Sequence, residues 1–295
     1  MSVTTAPATD ASPRPMVRSN RRSRASIAVW GPPILVFAVI VAGWYALAAS
    51  FAARSLKFVL PYPHEIFLVS FAPELSEKYA GKTVVPDAIT QDLLAGLYLS
   101  TTVALIGLLI AMLIGIIWAV LMSQAKWVER SLFPYAVILQ CVPILALVPL
   151  IGISIGYDIE SRILVCVLIS LFPMVSNTLF GLQSVDRSQR ELFKLQRASR
   201  WTVLTKLQFP SAMPAIFAGM RISAGLAVVG SIVGDFFFRR GQPGLGILIN
   251  VYASRLQAEA LFATILTAAL LGVAIFLVFG LFTKLAVGRW YEPAS

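Results

Sequence analysis

Six apolar runs, separated by polar and mostly basic segments, constrain this 295-residue chain more than any other feature. They fall at about 29–50, 95–123, 131–154, 163–182, 212–236 and 259–283. Each is near or above the ~20 residues that a helix rising about 1.5 Å per residue needs to cross a bilayer core. Inside hydrocarbon every backbone N–H and C=O has to be satisfied by the protein itself, so runs of this length fold as helices. Charged residues make up 13% of the chain, about half the share of a soluble domain, and mean hydropathy is +0.82. The fold class expected is therefore an all-α membrane protein with six transmembrane helices. The first run is too long for the ~7–15 apolar residues of a secretory signal. The Ala-rich end from Ala46 to Ala53 keeps a cleavage site open as the alternative.

The runs divide the chain into a disordered basic tail (1–28), a first transmembrane helix (29–50) and a loop (51–94). A five-helix core (95–283) carrying a long polar loop (183–211) follows, and then a second tail (284–295). The formal charge of +10 is compatible with a nucleic-acid or a membrane partner. Its placement decides for membrane lipid and against nucleic acid, because the cations are sparse inside the runs and dense between them. Fifteen Lys and Arg lie in the two tails and in loops 124–130 and 183–211, against eight in the loops of the other side. That excess orients both termini toward the cytoplasm. Cys141 and Cys166 sit in apolar runs without metal-ligand spacing and read as small packing residues. His64 is the only histidine, expected in a wet loop, and no Ser/His/Asp or Cys/His set is evident. No catalytic residue and no metal site is expected. Ala80-Gly81-Lys82-Thr83 carries the tail of a phosphate-binding loop. Ser76 stands where its first glycine belongs and no strand precedes it, so the match is rejected.

Within the runs, Gly107, Ala111, Gly115 and Ala119 recur every four residues, as do Gly219, Ser223, Ala227 and Ser231, with Gly230 and Gly234 as a shorter pair. Small residues at this spacing let helices approach closely in lipid. The spacing leaves open whether they pack within one subunit or across a dimer. Pro134, Pro143 and Pro149 fall in the third run and Pro173 in the fourth, where a missing donor kinks a helix. Pro143 and Pro149 are candidates for a gate or substrate path, with a fixed packing bend as the alternative. Asp235, at the end of the fifth run, is a third candidate, because an ionisable group in a span is costly. Pairing with Arg239 or Arg240 is the structural alternative. Arg221 lies inside the fifth run and is read as snorkelling to the interface.

Residues 186–210, DRSQRELFKLQRASRWTVLTKLQFP, are too polar to span lipid yet keep helical periodicity. Leu192, Phe193 and Leu195 share one region, and Trp201, Leu204 and Leu207 recur at intervals of three. Two short amphipathic helices are expected, broken near Arg197–Ser199, with Pro210 ending the second. A basic loop lying on anionic lipid would have this composition too. The spacing resembles the coupling loop of type I ABC-importer permeases, E-A-A, three residues, G, nine residues, I-x-L-P. Glu191 matches the Glu, Pro210 the terminal Pro, and Leu207 and Phe209 the apolar positions before it. Ala198-Ser199-Arg200-Trp201 resembles the family's A-S-R-W. Leu192 and Phe193 replace the two alanines, and Arg197 stands at the glycine position. Either the turn is more open here or Arg197 meets an altered partner surface. The resemblance covers about residues 90–286, including Gln140-Cys141-Val142-Pro143, Phe172-Pro173 with Asn177-Thr178, and Gly244-Leu245-Gly246.

What the resemblance implies is a type I importer permease fold with Glu191, Leu192, Phe193, Arg197, Ala198, Leu207 and Pro210 docking an ATPase. It implies no cofactor in this chain, with ATP and Mg held by two separate ATP-binding subunits. Further partners are an extracytoplasmic substrate-binding protein, delivering substrate to the face of the outer loop 51–94 that contains Leu60-Pro61-Tyr62-Pro63, and a second permease copy as a homodimer. The location is the bacterial cytoplasmic (inner) membrane. The pattern from Ala218-Gly219-Met220-Arg221 to Gly230–Asp235 is most similar to permeases for heterocyclic vitamins or precursors, such as riboflavin or the thiamine pyrimidine. Nitrate, sulfonate or taurine is the alternative cargo. An ion-coupled secondary transporter is a second function class, disfavoured because no span has an acidic residue near its centre. A membrane scaffold without transport is a third, disfavoured by the kinking prolines.

Overall fold

The computed structural model describes residues 21–54, 59–71, 86–238 and 240–287. The phosphate-loop-like stretch Ala80–Thr83 lies outside them. The described residues fold entirely as helices and turns. Among the described residues five helices are long and apolar enough to cross a membrane, or six if a sharply bent pair counts as one span. Residues 1–56 and 57–295 form separate units. The first contains α1 (Arg21–Ala53), which begins within the segment read as a disordered tail. Its apolar part is Gly31–Ala53.

The second unit opens with α2 (Pro63–Phe71), which places His64 in its first turn, stacked on Tyr62 with ring centroids 5.5 Å apart. Then follows α3 (Pro86–Ser123), whose helix starts nine residues before the expected span. The third run is not one straight helix. α4 (Lys126–Cys141) and α5 (Ile144–Ile155) meet at 96°. Pro143 has no N–H to continue the ladder and forces Val142 into an extended conformation, φ −68° and ψ 125°. Val142 N–H closes α4 on the Ile138 carbonyl, and the Pro143 carbonyl accepts from Ala146 N–H to start α5.

α6 (Ile159–Gln183) is the centre of the unit, and both α3 and α9 (Phe209–Phe237) pack on it and on each other. Both neighbours press their small-residue rows onto it. A Cβ on Gly107 would collide with the Cys166 side chain, and one on Gly230 would stand 2.7 Å from Cys166 Cα. Gly115 abuts Met174 in the same way, Gly219 abuts Asn177, and Gly234 abuts the Arg162 backbone. Ala111 and Ala119 are buried between the glycines. In this chain, then, the two rows pack on the same helix and meet at Cys166, whose Sγ lies against the carbonyls of both Ala104 and Ala227. The hydroxyls that accompany them bond to backbone: Ser170 Oγ to the Cys166 carbonyl (2.7 Å) and Ser223 Oγ to the Ser170 carbonyl (2.8 Å). Cys141, unlike Cys166, is exposed.

Pro210 does not end a helix. α8 (Arg200–Val203) passes through a wide turn at Leu204–Gln208 directly into α9, so Arg200–Phe237 is one helical rod of 38 residues. In the wide turn Phe209 N–H donates to the Leu204 carbonyl, five residues back. That extra residue per turn accommodates the proline that follows, which has no N–H to give and would crowd an ordinary helical turn. Leu204 joins Leu179, Leu182, Ala212 and Ile216 in the core beneath the turn.

α10 (Leu245–Ser254) is too short to cross a membrane, and α11 (Ala258–Val287) closes the unit. Tyr252 of α10 bonds Asp92 of α3 at 3.3 Å. Burial and the adjacent carboxylate push its phenol up to about 12, so it remains a proton donor at any physiological pH. Arg221 of α9 lies over the Phe276 ring of α11 at 3.9 Å, with Gly280 beside its guanidinium.

Candidate coupling site and the buried clasp at the opposite end

The polar segment between α6 and α9 begins with α7 (Arg187–Leu195), none of whose residues is buried. Arg190 turns back to donate to the Gln183 carbonyl at 2.9 Å, placing a cation at the negative end of α6. Gln183 in turn bonds Glu129 at the start of α4 (2.8 Å). Glu191 pairs with Arg187 at 2.9 Å on the open surface, a contact that contributes at most ~0.5 kcal/mol.

The break after α7 is a closed turn. Arg197 adopts φ +50°, the left-handed conformation that a glycine takes there. Its N–H donates to the Lys194 carbonyl and Ala198 N–H to the Phe193 carbonyl, both at 3.0 Å, which is the paired closure of a Schellman turn. The more open turn is thereby excluded. Ser199 then caps α8, its Oγ accepting from Thr202 N–H at 3.2 Å.

The apolar residues of the segment divide in two. Leu204 and Leu207 face inward and are buried, while Trp201 (72% exposed), Leu195 (82%) and Leu192 (53%) face outward. Phe193 and Ala198 are half-buried, and Glu191, Arg197 and Pro210 are exposed. The segment therefore exposes three large apolar side chains among the cations Arg187, Lys194, Arg197 and Arg200, on a base fixed to the core through Leu204 and Leu207. Three large exposed apolar side chains on so short a segment suit a protein contact, since burying each contributes about 1.5–3 kcal/mol.

The gate candidates do not converge. Pro143 and Pro149 are exposed on the bent pair, while Val148 and Ile151 of α5 pack on Val165 and Phe238. Asp235 is fully buried, and its partners lie on other elements. Arg162 of α6 bonds its Oδ1 at 3.0 Å, Ser100 of α3 donates to its Oδ2 at 2.6 Å, and the Gly246 backbone at the start of α10 is a further donor. Arg239, one of the two expected partners, lies outside the described residues. Arg240, the other, contributes its carbonyl to Arg162 Nη2 (2.5 Å), and Gln242 gives a second carbonyl to Nη1 (3.1 Å). Leu245 N–H donates to Ser100 Oγ at 2.9 Å. Gly244 and Gly246 lie so close to Asp235 and to the Ile232 carbonyl that a Cβ on either would collide. Removing one member of such a buried pair costs about 3–5 kcal/mol.

Sequence reasoning missed Arg162 because it placed the fourth span at 163–182, which left this arginine in a loop. The helix starts at Ile159, and position 162 is buried four residues before Cys166, on the same face. The spacing of four to Cys166 and of eight to Ser170 was a readable signal.

Comparison with known proteins agrees with this architecture. A family model described as binding-protein-dependent transport system inner membrane component matches residues 111–290, more than half of the chain. The riboflavin transport system permease protein of Chloroflexus aurantiacus is 33% identical over 168 residues, 57% of this chain and 62% of that protein, so less than two thirds of its length is matched. The formylaminopyrimidine transport permease protein of Halalkalibacterium halodurans is 34% identical over 178 residues, covering 60% of this chain and 70% of that one. The nitrate import permease protein of a Synechocystis species is 28% identical over 57% of this chain and 61% of its own. A crystal structure of an amino acid ABC transporter with histidines aligns with 68% of this chain and 94% of its own at TM-score 0.52 and 18% identity, a likeness of fold. From the match across the helical core, the chain belongs to the family of binding-protein-dependent transport system inner membrane components.

Proposed function

We propose that this chain is the translocating subunit of an ATP-driven importer, with ATP and Mg bound by two separate ATP-binding subunits docked on residues 186–210. The observation that carries the reading is the exposure of Leu192, Leu195 and Trp201 on a polar segment whose closed turn leads into a helix that runs unbroken into the core. A second copy of the chain completes the path as a homodimer. Both termini and the docking segment face the cytoplasm of a bacterium, and an external binding protein delivers the cargo at the opposite end. The removal of Arg162 from the loop count deepens the charge asymmetry behind that orientation. Closure of the ATP-binding subunits displaces the docking segment, and the rod Arg200–Phe237 carries the displacement through the membrane.

The cargo proposed is a heterocyclic vitamin or precursor of the riboflavin or pyrimidine kind. The relatives named for riboflavin and for formylaminopyrimidine, each about a third identical, support it. The second reading is nitrate, sulfonate or taurine, of which the relative named for nitrate and one named for aliphatic sulfonates support the first two. Glu191→Lys is expected to abolish ATP-dependent uptake while the chain still inserts and accumulates. Normal uptake by that variant would sink the docking assignment. Uptake of labelled riboflavin and of a labelled aminopyrimidine, each competed with nitrate and taurine, decides between the cargo classes.

A further inference from the structure

The buried pair Arg162–Asp235 does more than neutralise two charges. Arg162 carries three acceptors on one guanidinium: the Asp235 carboxylate and the carbonyls of Arg240 and Gln242. It is itself buried, 2% exposed in its side chain, so solvent does not compete for these bonds. Asp235 holds the other border of the same loop, through Gly246 and through Ser100 to Leu245. The loop between these borders exposes Arg240, Gly241, Gln242 and Pro243. With Asp158, Glu160 and Arg162 it lines a depression of about 290 Å³. This depression lies at the end of α9 opposite the docking segment.

We infer that Arg162 is a positioning residue that holds loop 240–243 in the shape in which the external binding protein meets it. The inference rests on the transport reading above. A fork-shaped guanidinium is suited to the task because it reaches a carboxylate and two carbonyls at once, which an ammonium on a flexible stem does not. With Arg162 removed, the loop has to be ordered at each docking event, and that cost appears in apparent affinity rather than in turnover.

The test uses the full chain assembled with its ATP-binding subunits and carries two readouts. The variant Arg162→Met/Asp235→Asn removes both charges together. The asparagine side chain retains bonds to Ser100 and Gly246, so the fold keeps its neutral contacts and only the hold on Arg240 and Gln242 is lost. A nitroxide attached at Gln242→Cys, in a Cys141→Ser background, reports loop motion without any transport. The half-saturating concentration of loaded binding protein and the maximal uptake rate are measured beside it.

The expected result is a mobile label, a rise of about tenfold in half-saturation and a maximal rate within about twofold. A label as immobile as in the parent overturns the clasp. A mobile label with unchanged half-saturation overturns its part in docking. Should the double variant fail to assemble, Arg162→Lys keeps the charge pair, loses the reach to both carbonyls and is held to the same outcomes. If uptake by the parent complex does not depend on a binding protein, the transport reading fails, while the label still decides whether Arg162 orders the loop.

Discussion

Arg197 is a residue without a glycine's freedom in a glycine's conformation, and Arg197→Gly isolates what that costs. At φ +50° an L-residue is strained by about 1–2 kcal/mol, because its Cβ crowds the following carbonyl. The side chain is exposed, and among the described residues it makes no hydrogen bond or ion pair, so no folded contact offsets the strain. Glycine removes the strain but brings roughly 0.5–1 kcal/mol of extra backbone entropy to be lost on ordering. The balance is a gain of about 1 kcal/mol in the closed turn, or about fivefold in its opening equilibrium.

The assay is hydrogen exchange at the Arg197 and Ala198 amides, which close the turn on Lys194 and Phe193. Arg197→Gly is expected to slow that exchange about fivefold. Arg197→Ala, which removes the guanidinium but keeps the Cβ, is expected to leave it nearly unchanged. Leu256 supplies an independent control. It closes the end of α10 at φ +56°, with Gln257 N–H on the Tyr252 carbonyl at 3.0 Å, and its side chain is exposed. Leu256→Gly should slow exchange there by a similar factor. Equal effects of glycine and alanine at Arg197, or faster exchange with glycine, would refute the strain argument.

Ser199→Ala removes the cap of α8 and should destabilise the start of the rod by about 1 kcal/mol, read as faster exchange at the Thr202 amide. Gly107→Ala and Gly230→Ala should each lower the thermal midpoint in detergent, at a cost of about 1–3 kcal/mol from overpacking against α6. Their responses to Cys166→Gly should differ. Gly107 is opposed by the Cys166 side chain and should recover stability, whereas Gly230 is opposed by Cys166 Cα and should not.

The helices were legible because lipid leaves an apolar run of span length few alternatives. The small-residue rows were legible as close contacts, but not by partner. A row of glycines records that something approaches closely, and both rows turned out to approach α6. Pro143 announced a kink, while its 96° depended on how each side of the break closes, α4 by Val142 N–H on the Ile138 carbonyl and α5 by Ala146 N–H on the Pro143 carbonyl. The spacing from Glu191 to Pro210 marked the exposed polar segment and its turn. It did not separate Trp201 from Leu204 and Leu207, because periodicity gives a face and tertiary packing decides which part of that face is covered.

Pro210 shows the limit of local rules most clearly. A proline after a short amphipathic helix reads as a stop, since its ring crowds the carbonyl four residues back and it has no N–H to give. The wide turn at Leu204–Gln208 carries one extra residue and continues the helix. Leu204 and Leu207 lie on the core at this turn, and Trp201 stays outside. The consequence is mechanical. A stop at Pro210 would have left Trp201 hinged to α9, whereas the continuous helix Arg200–Phe237 joins them in one body, about 57 Å long at 1.5 Å per residue, ending beside Asp235. A load applied at Trp201 therefore reaches the clasp on Arg162 without crossing a loop.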